Sequence, residues 1–118
     1  MPNRNGVIHE GIIDILRFGL PDILDEQYNN YLCIADEGTM AKICNKGNGG
    51  GSRPDLILFI NNELIIIEVG GISKHRWYNL SHTLIHISHH KSVGIINNIH
   101  SDISRNVLLI IRKILNVL

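Results

Sequence analysis

Two acidic residues stand where they could act together. Asp55 follows Pro54 directly, at the head of the apolar run Leu56-Ile57-Leu58-Phe59-Ile60, and Glu68 closes the run Leu64-Ile65-Ile66-Ile67. Between the runs, Asn61-Asn62-Glu63 has the composition of a turn. The spacing predicts a β-hairpin whose arms, about six residues each, bring both carboxylates to its open end. Like charges placed opposite one another destabilise paired strands unless something compensates. A divalent cation does so directly: Mg²⁺ takes one or two carboxylates plus waters and phosphate oxygens, activates water and stabilises a phosphoryl transition state. Charges at strand ends also simply mark where buried strands emerge into solvent, and spacing alone does not separate the two.

Other elements must hold that hairpin. Gly6 to Phe18 reads as an amphipathic helix with Val7, Ile8, Ile12, Ile15 and Leu16 at helical spacing, ended by Gly19-Leu20-Pro21. Glu10 and Asp14 lie one turn apart on its polar side. Tyr28 to Ala35 reads as a strand, with Met40 to Cys44 a second one paired to it. Asn45 to Ser52 carries four glycines in eight residues and reads as a loop, suited to a lid that orders on nucleic acid. Beyond the hairpin, Gly70-Gly71 breaks the strand, and a helix is expected from about His75 to Lys91, with Trp77, Leu80, Leu84 and Ile87 on one face. Val93 to Ile96 reads as a short strand. Ser101 to Leu118 reads as a last helix, capped by Ser101 and striped with Ile103, Val107, Ile110, Ile111, Ile114 and Leu115. The unbroken apolarity of the hairpin arms implies burial on both faces, and the alternation of helices and strands implies a layered α/β domain.

Arg53-Pro54-Asp55, an apolar strand, a short turn, a second apolar strand and Glu68-Val69-Gly70 together resemble the PD-(D/E)XK nuclease superfamily, and within it the archaeal Holliday junction resolvases. The resemblance extends over nearly the whole chain and implies a restriction-endonuclease-like αβββαβα core with a central mixed sheet flanked by helices. It implies a metal-dependent endonuclease acting on DNA, branched DNA included, with Asp55, Glu68 and the backbone carbonyl of Val69 as ligands to Mg²⁺ or Mn²⁺. Glu10 matches the acidic residue that such enzymes carry on the first helix. Where the family pattern has a lysine two residues after the glutamate, this chain has Gly70. That lysine helps orient water and neutralises developing charge. Lys74 is the nearest replacement across the flexible Gly70-Gly71, with His75 or Arg76 as further candidates. Gly70 equally suits a catalytically degenerate module of the same fold that binds nucleic acid or a protein partner. An RNA-cleaving nuclease shares the same phosphodiester chemistry.

Composition sets the outer limits. With 118 residues, 44% hydrophobic and 19% charged, the chain is expected to form one domain with one core. The formal net charge of zero counts against a strongly electrostatic, non-specific nucleic-acid binder, so phosphates would need a local patch. Lys42, Lys46, Arg53, His75 and Arg76 are candidates for that patch, near the site end or the loops beside it, with Lys91 close by. Five of the seven histidines fall between His75 and His90. His82, His86 and His89 would share one face of the expected helix, at a spacing that suits zinc or nickel but more ordinarily marks a polar face. Cys33 and Cys44 have no partners at zinc-finger spacing. No apolar run is long enough to span a bilayer, and the start, MPNRNGVIHEG, lacks a signal-like apolar stretch, so an intracellular protein with no membrane partner is expected. A homodimer is expected as well, because two symmetric cuts need two sites and the last helix offers an apolar stripe for the contact.

Overall fold

A computed structural model describes residues 4–44, 54–70, 83–86, 91–96 and 100–116. Among them the elements run α1 (Arg4–Gln27), β1 (Tyr31–Ile34), α2 (Glu37–Cys44), β2 (Leu56–Ile60), β3 (Glu63–Gly70), β4 (Thr83–His86), β5 (Ser92–Ile95) and α3 (Asp102–Leu115). The class is mixed α and β, as expected, but the order is not αβββαβα. The strands form one five-stranded sheet in the order β1-β2-β3-β5-β4. Every described pairing is antiparallel, in place of the mixed sheet that the resemblance implied.

The hairpin forms as the two apolar runs demand, with Leu56 opposite Ile67 and Ile60 opposite Glu63. Its turn is the two residues Asn61-Asn62, with φ of 51° and 67°. Positive φ at both positions matches the right-handed twist of the strands, and asparagine tolerates it better than other side chains except glycine. Strand alternation gives the sheet two faces. Leu56, Leu58 and Ile60 of β2 and Ile65, Ile67 and Val69 of β3 join Val93 and Ile95 in a core under α1 and α3. Ile34 and Ile57, on the opposite face, pack with Met40 of α2 in a smaller cluster. The hairpin is thereby fully buried on the α1–α3 side and only partly covered on the other, where Phe59 stays exposed.

α1 is longer than its local signals indicate. Proline inside a helix removes a backbone donor and clashes with the preceding turn, at a cost of about 3 kcal/mol, yet the helix continues through Pro21 to Gln27. Leu16, Leu20 and Leu24, four residues apart, are fully buried and carry the stripe past the proline. Losing even one such side chain costs roughly 2–5 kcal/mol, so packing outweighs the break. Gly19 allows α3 to come close: a Cβ there would stand 3.1 Å from Cγ2 of Ile114.

Met40 to Cys44 is not a strand but the latter part of α2. Asp36 caps that helix, its carboxylate accepting from Thr39 N at 2.6 Å and its carbonyl from Met40 N at 2.9 Å. The helix expected from His75 to Lys91 is replaced over Thr83–His86 by β4, which pairs with β5 from Thr83 opposite Ile95 to His86 opposite Ser92. His86 therefore lies on a strand, and His82 and His89 lie outside the described residues. The last helix is capped as expected, Ser104 N donating to Ser101 Oγ at 2.9 Å, and ends on Asn116 at φ 56°. Its stripe is spent inside the molecule, with Val107, Leu108, Ile110 and Ile111 buried against the sheet and α1. It is therefore not available as the dimer contact that the sequence suggested. Among the described residues no helix is long and apolar enough to cross a membrane.

Candidate functional site

The register that pairs Leu56 with Ile67 places Asp55 opposite Glu68, one step beyond it. Both carboxylates stand at the same open end of the hairpin, and each accepts a hydrogen bond from backbone. Asp55 N donates to Glu68 Oε1 at 2.9 Å, and Val69 N donates to Asp55 Oδ2 at 2.8 Å. Such bonds to ionised acceptors, worth roughly 1.5–3 kcal/mol each, help hold two like charges together.

Pro54 has a part in this geometry. Ile96 N donates to Ile66 O, so even-numbered peptide groups of β3 turn toward β5 and odd-numbered ones toward β2. The register sets Pro54 opposite Val69, and a proline has no N–H to give the Val69 carbonyl. Val69 N–H turns instead to the Asp55 side chain. The Val69 carbonyl thus has no strand donor from Pro54.

A third group comes from α1. His9 Nε2 lies 3.2 Å from Asp55 Oδ2, and its Nδ1 lies 3.6 Å from Oε1 of Glu10. Asp55 is only 17% exposed and His9 26%, whereas Glu10 is 72% exposed. Both contacts to Asp55 fall on Oδ2, so Oδ1 carries no hydrogen bond among the described residues. A hollow of about 390 Å³ opens beside it, lined by Glu10, Ile13, Arg17, Met40, Pro54 and Asp55. Arg17 faces this hollow while its guanidinium lies 4.8 Å over the Phe18 ring and 3.9 Å from Asp14.

Of the residues singled out by sequence, Glu10, Asp55, Glu68 and Val69 lie at one end of the molecule. Lys42 is exposed near the end of α2. Lys46, Arg53, Lys74, His75 and Arg76 lie outside the described residues. Sequence reasoning missed His9 and Arg17. The available signal was helical spacing: His9 stands beside Glu10 on the first helix, and Arg17 lies two turns further along. Among the described residues no three His, Cys, Asp or Glu side chains gather as a ready-made metal cage. The donor set fits a hard cation held at a rim, with few protein ligands and room for water, better than it fits zinc. Comparison of the chain with protein-family models, with curated proteins and with solved structures returned no match.

Proposed function

We propose that this chain is a Mg²⁺- or Mn²⁺-dependent nuclease that hydrolyses phosphodiester bonds in DNA, branched DNA included. The observation that carries this reading is the pairing of Asp55 and Glu68 at one hairpin end, with Asp55 Oδ1 unbonded among the described residues beside an open hollow. Asp55, Glu68 and the Val69 carbonyl would hold the cation. When bound, that ion supplies charge neutralisation at the phosphate and a more acidic water.

The chain's own residues do the rest. The Val69 N–H and His9 hold Oδ2 of Asp55, which fixes the carboxylate in one orientation at the edge of the hollow. Glu10, more exposed and on the neighbouring helix, can accept a proton from water at the rim. In this reading Arg17, which lines the hollow, and Lys42, in the last turn of α2, would meet phosphate oxygens of the nucleic acid. Two symmetric cuts would require two copies. With the α3 stripe buried, the contact falls to the exposed apolar residues of α1, Val7, Ile15 and Phe18.

One observation favours a second reading. The reciprocal backbone bonds already account for both carboxylates as strand-end caps, and together with Gly70 they suit a non-catalytic module of the same fold. A cleavage assay on single-stranded, duplex and branched DNA and on RNA, with and without Mn²⁺, separates the two. The nuclease reading expects metal-dependent cleavage that vanishes in Asp55→Asn. Absence of cleavage on every substrate with either metal would establish the non-catalytic reading, and cleavage of RNA alone would change the substrate class.

A further inference from the structure

Strand β1 stands at one margin of the sheet and pairs, among the described residues, with β2 alone. The two-residue turn Asn61-Asn62 makes Ile60 and Glu63 a hydrogen-bonded pair, so Ile60 and Leu58 turn their backbone groups to β3, and Phe59 and Ile57 turn theirs to β1. Their opposite residues, Leu32 and Ile34, return those bonds. The N–H and C=O of Tyr31 and Cys33 therefore point away from the sheet, where no described strand meets them. An open edge is a template for a further strand, and proteins ordinarily blunt one with a charge or a proline. The stretch Tyr31–Ile34 has neither.

A hollow of about 830 Å³ runs along this edge, bounded by Pro21 and Asp25 of α1, by Tyr31, Leu32 and Cys33, and by Phe59. Its two flanks differ in chemistry. Leu32 and Phe59, opposite one another in the register, are 54% and 41% exposed on the sheet face away from α1 and α3. On the α1 side, Asp22, Asp25 and Glu26 are exposed, and no described cation pairs with them. They lie in the last two turns of a helix without a basic residue in its last turn, so each meets the negative end of the helix dipole as well as its neighbours. Burial, then the Asp25 carboxylate that its hydroxyl bonds at 2.6 Å, then Cys33 and Asp22 push Tyr31 up to about 12, which fits a negative potential at this flank.

Outward backbone donors and acceptors call for another extended backbone, the apolar flank for an apolar side chain, and the acidic flank for a cation. Three uncompensated carboxylates repel a nucleic acid. They also repel a second copy paired edge to edge, which would bring its own Asp22, Asp25 and Glu26 against this set. In an added strand the side chains alternate between the flanks: the residue opposite Leu32 lies over Leu32 and Phe59, and its neighbours, opposite Tyr31 and Cys33, face α1.

We propose that the β1 edge is a docking site for an extended basic segment of a partner protein, in which apolar residues alternate with lysine or arginine, added to the sheet through the outward backbone of Tyr31 and Cys33. This surface is separate from the carboxylate site, and the proposal does not depend on the nuclease reading.

The test titrates the full chain with a fluorescent peptide of alternating valine and lysine, and with a counterpart of valine and glutamate, while amide exchange is followed. The basic peptide should bind with an affinity that falls as salt rises, and should slow exchange at the Tyr31 and Cys33 amides; the acidic peptide should do neither. Cys33→Pro removes an outward N–H without touching the bonds of Leu32 and Ile34 to β2, and should weaken binding at least about tenfold. Neutralising the flank with Asp22→Asn and Asp25→Asn together should weaken it by roughly the same factor and flatten the salt dependence. Should Cys33→Pro fail to fold, Leu32→Lys, at an exposed position, takes its place with the same expectation. Absence of binding by the basic peptide overturns the proposal, and so does binding that a folded edge variant leaves unchanged, which is charge adsorption alone. A Cys33 amide already protected in the free monomer assigns the edge to a segment of the chain itself, and protection that appears only as the chain dimerises assigns it to a second copy; either result overturns the proposal.

Discussion

The two ends of the β2–β3 hairpin each carry acidic side chains, yet they treat them in opposite ways. At the turn, Glu63 accepts from the Ser101 hydroxyl and, at 3.5 Å, from that of Ser104, at the N-terminus of α3. Its charge meets hydroxyl donors and the positive end of a helix dipole, and it ties the hairpin to the layer above. At the open end, Asp55 and Glu68 each accept from a backbone N–H, Asp55 also meets His9, and Asp55 lines a hollow. Each carboxylate takes its bonds on a single oxygen, Oε2 of Glu63 and Oδ2 of Asp55; the difference is that Glu63 is tied to a helix N-terminus whereas Asp55 borders a hollow.

Substitutions can break or sharpen this contrast. The largest effect belongs to Asp55→Asn, whose amide oxygen can still accept from Val69 N while the charge is gone. Mn²⁺-dependent cleavage should fall by at least about a hundredfold, with the melting temperature unchanged or slightly raised through relief of like-charge repulsion. A parallel fall in stability would show the open end to be as structural as the turn. Glu63→Ala should behave in the reverse manner: denaturant unfolding loses about 1–3 kcal/mol as the buried Ser104 and the Ser101 cap lose their acceptor, while cleavage per folded molecule stays constant.

Between the two ends, Cys33 of β1 sits opposite Leu58 and supplies a control that touches neither. Burial pushes its thiol from an ordinary 9.0 up to about 11. The protonated form is thus favoured in the folded state, and the associated stability is present in full below pH 9 and lost as pH rises through about 11. Melting curves across that window should show a smaller alkaline decline in Cys33→Ala than in the parent. The smallest effect is expected at the turn, where Asn62 holds φ at 67°. Asn62→Gly should raise stability by roughly a few tenths of a kcal/mol, read as a small shift in the denaturation midpoint with no change at the open end.

Local sequence determined the hairpin, the Ser101 cap and the amphipathic stripe of the last helix, while of the stripe read on the first helix only Ile12 and Leu16 are buried and Val7, Ile8 and Ile15 are exposed. Each of these depends on residues within one or two turns or on directly opposed strands, so periodicity and turn chemistry are enough. Pro54 before Asp55 also carried its meaning locally, since a proline withholds an N–H wherever it pairs. Tertiary structure decided what lies beyond that range. Pro21 stops no helix because Leu20 and Leu24 are buried against distant strands. Residues 83–86 form a strand rather than a helix because β5 offers an edge to pair with. His9 meets Asp55 across 46 residues of chain, and Ser92 comes opposite Gly70 only through the β3–β5 register. No spacing along the sequence announces either contact: each depends on how α1 and β5 pack against the hairpin, and that packing follows from the summed burial of the core rather than from any one residue.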